Sequence, residues 1–195
     1  DTRVLWVCGT NYLKEYQPED GSSYVFTKNM MPCGWASWAD KFVRFYDGEL
    51  SLWRDGYIRE RLRSEYVYKK LYHQDKYNID YELEAKEDSG RFYSWDYQMA
   101  FTMRVHNLYA IVPKYNQIKN IGVDDLSTHG GGSEKDIMVE RFCGLPTKPM
   151  DFPLKHPSSF LVDEKFELSV AKLIYDPRFF SIRSILSRVA RRVFR

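Results

Sequence analysis

Two polar residues carry the chemical interest of the stretch RFYSWDYQMAFTMRVHNLYAIVPKYNQIKNIGVDDLSTHGGG, residues 91 to 132. Asp96 stands between Trp95 and Tyr97, and His129 stands just ahead of Gly130, Gly131 and Gly132. A carboxylate among aromatic rings is partly desolvated, which raises its basicity and suits it to take a proton from a hydroxyl. A neutral imidazole binds Mn²⁺-type ions and pairs with carboxylates and diphosphate oxygens. The two residue types would serve a metal-assisted transfer. Each also has a plainer role. An aspartate in the first turn of a helix is favoured by the positive end of the helix dipole, and a histidine in a glycine-rich loop is ordinarily solvated. Asp124 and Asp125 fit either further ligation or turn chemistry. His73, His106 and His156 have no ligand spacing with His129.

Other signatures narrow the field. The triple glycine suits a lid over a phosphate-bearing substrate, but no Gly-Lys-Ser/Thr follows it, so it is not a P-loop. Motifs of the forms GxSxG, HExxH and GxGxxG do not occur. Three cysteines, Cys8, Cys33 and Cys143, are odd in number and widely spaced, which indicates neither a disulfide framework nor a zinc ribbon. Their pattern points to a reducing cytoplasm. A net charge of +2 across 195 residues gives no case for nucleic acid. Aromatic content is high at 16%, and such rings either fill cores or build platforms for sugars and other flat ligands. No apolar run approaches the roughly 20 residues that span a bilayer, and no signal peptide is visible. The sequence starts with Asp1 and runs at once into a strand-like segment, from which a preceding stretch of chain is expected.

Positioning these residues requires a mixed α/β frame. Residues 3–8 read as a buried strand, with Gly9-Thr10-Asn11 a tight turn and Gly9 at the closest backbone approach. Residues 23–27 and 108–112 read as further strands, the latter stopped by Pro113. Trp35, Trp38 and Phe42, at i, i+3 and i+7, predict one helical face. Residues 49–62 predict a helix using Leu50, Trp53 and Ile58. Residues 61–87 predict another, with Tyr66, Tyr68, Leu71 and Tyr72 inward, broken at Asp88-Ser89-Gly90. Ser94 is the expected N-cap of a helix over residues 95–106. Residues 116–135 form a long polar loop, and residues 146–157 drape over the surface. From Phe179 the tail FFSIRSILSRVARRVFR predicts a basic amphipathic helix. It either packs on the body or lies on an anionic membrane with its arginines in the headgroups.

In order along the chain, these pieces resemble one family. Gly9-Thr10-Asn11-Tyr12 resembles a G-D-N-F segment after a strand, and Tyr24-Val25-Phe26-Thr27 resembles Y-Y-F-S. Gly34-Trp35-Ala36-Ser37-Trp38 resembles G-W-A-T-W. Ser94-Trp95-Asp96-Tyr97-Gln98 resembles a W-D-x-Q helix start. Ile111-Val112-Pro113 with Asn116 and Asn120-Ile121-Gly122 resembles I-x-P-x-x-N-L-x-x-N-I-G, and Ser127-Thr128-His129 resembles A-T-H-T. The series is similar to the C-terminal half of bacterial nucleotide-sugar glycosyltransferases of the GT-A fold, near family 2, over roughly residues 3–157. Thr10 stands where the family often has Asp, which bears on a donor-sugar contact, and Gly130 stands where a second Thr is common.

The resemblance implies a partial GT-A fold: a mixed sheet flanked by helices, with residues 1–157 the acceptor-side part of the domain and 158–195 an extension bearing the amphipathic helix. The donor-binding half and its Asp-x-Asp motif would lie upstream of Asp1. Asp96 matches the catalytic base. His129 matches a residue that helps hold a divalent cation, Mn or Mg, or the diphosphate. Gly9, Asn11, Trp35 and Trp95 match positions near the donor sugar or acceptor. The implied activity is inverting hexosyl transfer from a nucleotide-diphosphate sugar to a hydroxyl of a glycan or lipid-linked acceptor, in bacterial surface polysaccharide or glycan synthesis. It would take place in the cytoplasm, peripherally at the inner face of the membrane through residues 179–195. The competing expectation is a non-catalytic carbohydrate- or membrane-associated module.

Overall fold

The run VLWVC is rich in β-branched and aromatic side chains, and Val4–Cys8 forms β1, buried along nearly its whole length. A computed structural model describes residues 1–121 and 141–180 of the chain. Strand β2 is Tyr24–Thr27, β3 is Trp35–Ala36 and β4 is Tyr109–Pro113. Four strands make one mixed sheet in the order β2-β4-β1-β3. The central pair β1/β4 is parallel, with Val7 opposite Ile111. Antiparallel partners flank it: β2 on β4, with Phe26 opposite Ile111, and β3 on β1, with Cys8 opposite Trp35. Burial of β1 at nearly every position explains why its sequence reads as a continuous apolar run, while β4 alternates between buried and half-buried positions.

Helices α1 (Ala39–Phe45), α2 (Gly56–Leu62), α3 (Lys69–Ser89), α4 (Asp96–Val105) and α5 (Glu164–Ile174) surround the sheet. Two clusters of buried side chains form the core. One joins Leu5 and Trp6 of β1 to Met99 and Met103 of α4 and Phe166 of α5. The other joins Leu50, Trp53, Leu71 and Ile79 to Phe101 of α4 and Ala171 of α5. Helix α4 is therefore apolar on opposite sides, and it is the piece that bears Asp96. Met99, Phe101 and Met103 are fully buried, and each contributes about 1.5–3 kcal/mol by leaving water.

The α/β class and the positions of three strands agree with the sequence-based expectation, and several local expectations do not hold. Trp35 and Trp38 do not share a helical face with Phe42. Trp35 is drawn into β3 by pairing with β1, and α1 starts only at Ala39. The helix expected over residues 49–62 is two short pieces, a 3₁₀ turn at Leu52–Arg54 and α2. Asp55 separates them by accepting from the backbone N–H of Tyr57 and Ile58 as the N-cap of α2. Helix α3 starts at Lys69 rather than near residue 61, and it ends as expected at Gly90, whose φ of 77° suits glycine. Ser94 does not cap α4: the N-cap is Trp95, without a side-chain cap bond. Helix α5, with Asp163 as its N-cap, was not foreseen. It lies beyond residue 157 and supplies fully buried Phe166 and Val170, so one core spans both sides of that expected boundary. Among the described residues no helix is long and apolar enough to cross a membrane.

Candidate active site

Helix α4 turns tightly into β4, with Leu108 donating its backbone N–H to the Met103 carbonyl at 2.7 Å. The helix consequently runs back along β4, and Asp96 at its start comes to the carboxyl ends of the parallel strands β1 and β4. Ligands of open α/β sheets bind at that edge. Three tryptophan rings meet there. Trp6, fully buried, stacks on Trp35 at 4.1 Å between centroids. Trp95 lies 5.9 Å from Trp6 and 5.6 Å from Trp35. Trp35 and Trp95 are each 40% exposed, so a buried ring supports two rings that reach solvent beside a carboxylate. Sequence spacing gave no sign that Trp6 supports this wall, because Trp6 and Trp35 meet only through the β1/β3 pairing.

The backbone before Asp96 is held from α3. Glu82, itself buried, accepts from the N–H of Tyr93 at 2.7 Å and of Ser94 at 3.2 Å. Ser94 spends its hydroxyl on Asp96, donating to Oδ1, and the Tyr97 N–H reaches the same oxygen at 3.2 Å. Tyr46 donates its hydroxyl to the Trp95 carbonyl at 3.4 Å. Several hydroxyl protons near this carboxylate are held tightly. Burial first, and the charge of Asp96 second, push the Tyr46 and Tyr97 hydroxyls above the usual tyrosine range. Burial raises Tyr12 as well, with Cys33, Cys8 and Asp96 adding to the effect. These neighbours stay neutral near pH 7.

Gly9 and Asn11 reach the same edge, but each is tied to the protein. The Gly9 N–H donates to the Gly34 carbonyl at 2.6 Å. A Cβ on Gly9 would sit 2.7 Å from that oxygen and 2.9 Å from the Ile118 side chain, which bears out the expected close backbone approach. Asn11 is fully buried. Its Nδ2 donates to the Pro113 and Lys114 carbonyls, its Oδ1 accepts from Leu13, and its N–H donates to Asn116 Oδ1 at 3.0 Å. Asn116 in turn donates to the carbonyls of Ile118, Leu145 and Pro146. Asn11 thus pins the loop after β1 to the end of β4, and Gly9 packs against Gly34 and Ile118. Thr10 is also engaged, donating to the Cys33 carbonyl at 2.6 Å.

His129, Asp124, Asp125 and the triple glycine lie outside the described residues, as does the tail from residue 181. Of the remaining histidines, His156 pairs with the Tyr24 hydroxyl at 2.9 Å and His106 packs on Phe45, both away from the tryptophan wall. Among the described residues no group of three or more His, Cys, Asp or Glu side chains stands together as a cation site. They do not by themselves supply a ligand set for a divalent ion. Cys33 and Cys143, far apart in sequence, do converge: the Asn120 Nδ2 lies 3.5 Å from each sulfur. No family model matches this chain, and no curated protein or solved structure matches it.

Proposed function

We propose that the chain carries the acceptor side of a glycosyltransferase that moves a sugar, with inversion, from a nucleotide-diphosphate donor to a hydroxyl of a glycan or lipid-linked acceptor. The observation that supports this most is the placement of Asp96 at the carboxyl edge of the parallel strands, against two solvent-reaching tryptophans. The apolar face of a sugar ring packs on an indole, and an acceptor stacked on Trp35 or Trp95 brings a hydroxyl toward Asp96. Asp96 takes that proton as the oxygen attacks the anomeric carbon, and the nucleotide diphosphate departs. The neutral tyrosines and Cys33 around it do not compete for the proton. In this reading a divalent cation, Mn or Mg, partly held by His129, belongs to the donor's side of the reaction.

A non-catalytic carbohydrate-binding module would use the same rings, and one substitution separates the two. In the full-length polypeptide supplied with nucleotide sugars and Mn²⁺ or Mg²⁺, Asp96→Asn is expected to lower turnover by about 10²–10⁴-fold, the usual worth of a general base. Donor affinity should stay unchanged. Turnover equal to that of the unsubstituted protein would remove Asp96 from the role. Sugar binding without transfer in both proteins would favour the binding module.

A further inference from the structure

We propose that Cys33 and Cys143 form a reversible disulfide, a redox-sensitive clasp that ties the loop leading into β3 to the segment carrying Leu145. The geometry rests on Asn120, whose Nδ2 lies 3.5 Å from each sulfur. The two sulfurs are thus separated by no more than twice that distance. Both cysteines are partly open to solvent, while Cys8 is buried. Both segments are also fixed on the frame. The Cys33 carbonyl accepts from Thr10 Oγ1 at 2.6 Å, and the N–H of Gly144 donates to the Asn120 carbonyl at 2.8 Å. With both segments held in this way, rotation of the two cysteine side chains, rather than a change of fold, is what brings the sulfurs toward bonding distance.

The oxidant is a peroxide. One thiolate attacks a peroxide oxygen, releasing the other oxygen as an alcohol or water and leaving a sulfenic acid. The second thiol then displaces that hydroxyl as water, so two sulfurs give up two electrons and two protons leave with oxygen. Burial raises both thiols above the usual cysteine range, and Asn120 pulls Cys33 back down. The pair is consequently slow to oxidise at neutral pH and faster in alkali. Burial pushes Cys8 up to about 12, which makes it an internal control. Closing the bond displaces the Asn120 amide, just ahead of the segment that contains His129. The inference stands on thiol chemistry alone and is independent of the proposed activity.

Hydrogen peroxide applied to the folded full-length chain is the test, followed by denaturation, iodoacetamide and peptide mass mapping. The expected product has lost the mass of two hydrogens, contains a linked Cys33–Cys143 peptide, and alkylates only at Cys8. Dithiothreitol should restore all three thiols. Cys143→Ser should abolish the link, and Cys8→Ser should leave it intact. Three alkylatable thiols after peroxide, sulfinic acids without a link, or a link through Cys8 would each overturn the proposal.

Discussion

Glu167 offers the sharpest test of how the helices are joined to the sheet. Its carboxylate is buried in α5 and accepts from Thr27 Oγ1 and from the Lys28 N–H at 2.9 Å. Arg104 of α4 approaches its other oxygen at 3.4 Å, with both side chains almost wholly enclosed. Glu167→Ala leaves those two donors unpaired and takes one of its counter-charges from the buried Arg104 guanidinium. Arg104 keeps the Asn29 side-chain Oδ1 at 2.6 Å and the face of Tyr66 at 3.9 Å. Removing one member of such a pair costs about 3–5 kcal/mol. Glu167→Gln keeps shape and one acceptor, so it should cost less, about 1–3 kcal/mol. Urea unfolding followed by tryptophan fluorescence reads both. With an m-value of about 2–3 kcal/mol/M, the alanine variant should lose roughly 1–2 M in midpoint at unchanged m. The double variant Arg104→Met/Glu167→Ala should lose less than the two singles together. An alanine shift below about 0.3 M, or a glutamine variant as damaged as the alanine one, would refute the reasoning.

Two further outcomes follow from the same packing. Burial raises Asp75 to about 6, against the opposing pull of Arg104 and the Tyr66 hydrogen bond. The folded state then holds this proton more tightly than the unfolded chain, whose aspartate titrates near 4. Stability from Asp75 is full below about pH 4 and is lost as pH rises through about 6. Asp75→Asn should therefore gain on the parent protein by about 1–2 kcal/mol between about pH 4 and pH 7, a figure discounted because part of Asp75 meets water. Urea midpoints whose difference is the same at both pH values would contradict it. Gly34→Ala places a Cβ 2.3 Å from Ile118 Cδ1 on a backbone with φ of +60°, for a cost of about 1–3 kcal/mol. Pairing it with Ile118→Ala should remove the clash and leave only the backbone strain. A thermal scan in which Gly34→Ala melts with the parent would dismiss that packing.

What the sequence showed and what it hid follow from how far apart the interacting groups lie. Strand β1 is buried on both faces and β4 is apolar throughout, so their apolar runs were readable locally, as was the glycine that ends α3. Trp35 defeated local reading because two forces competed for it. Its spacing to Trp38 and Phe42 suits a helix, but pairing with Cys8 across the sheet won. Ser94 has the right residue type for a cap and the right place, and Asp96 and Glu82 claim its side chain and backbone instead. Helix α5 was missed although Asp163 marks its start, accepting from Phe166, because Glu167 puts a charge in the middle of the buried stripe. That charge makes sense only once Arg104 and Thr27 are beside it.

The candidate site has the same character. Asp96 is a residue type that many helices carry in their first turn, and alone it says little. Its environment is assembled from separate segments of the chain: Glu82 of α3 fixes the backbone before it, Trp35 of β3 and Trp6 of β1 build the wall, and Tyr12 and Tyr46 lie near it as neutral groups. A helix that needed only a favourable charge at its start would not require a buried glutamate in the neighbouring helix to accept the two N–H groups just ahead of it. Nor would it require two half-exposed indoles beside the carboxylate. The fold spends buried polar groups to hold Asp96 and leaves apolar rings in water next to it. The proposed acceptor-sugar site would use both features.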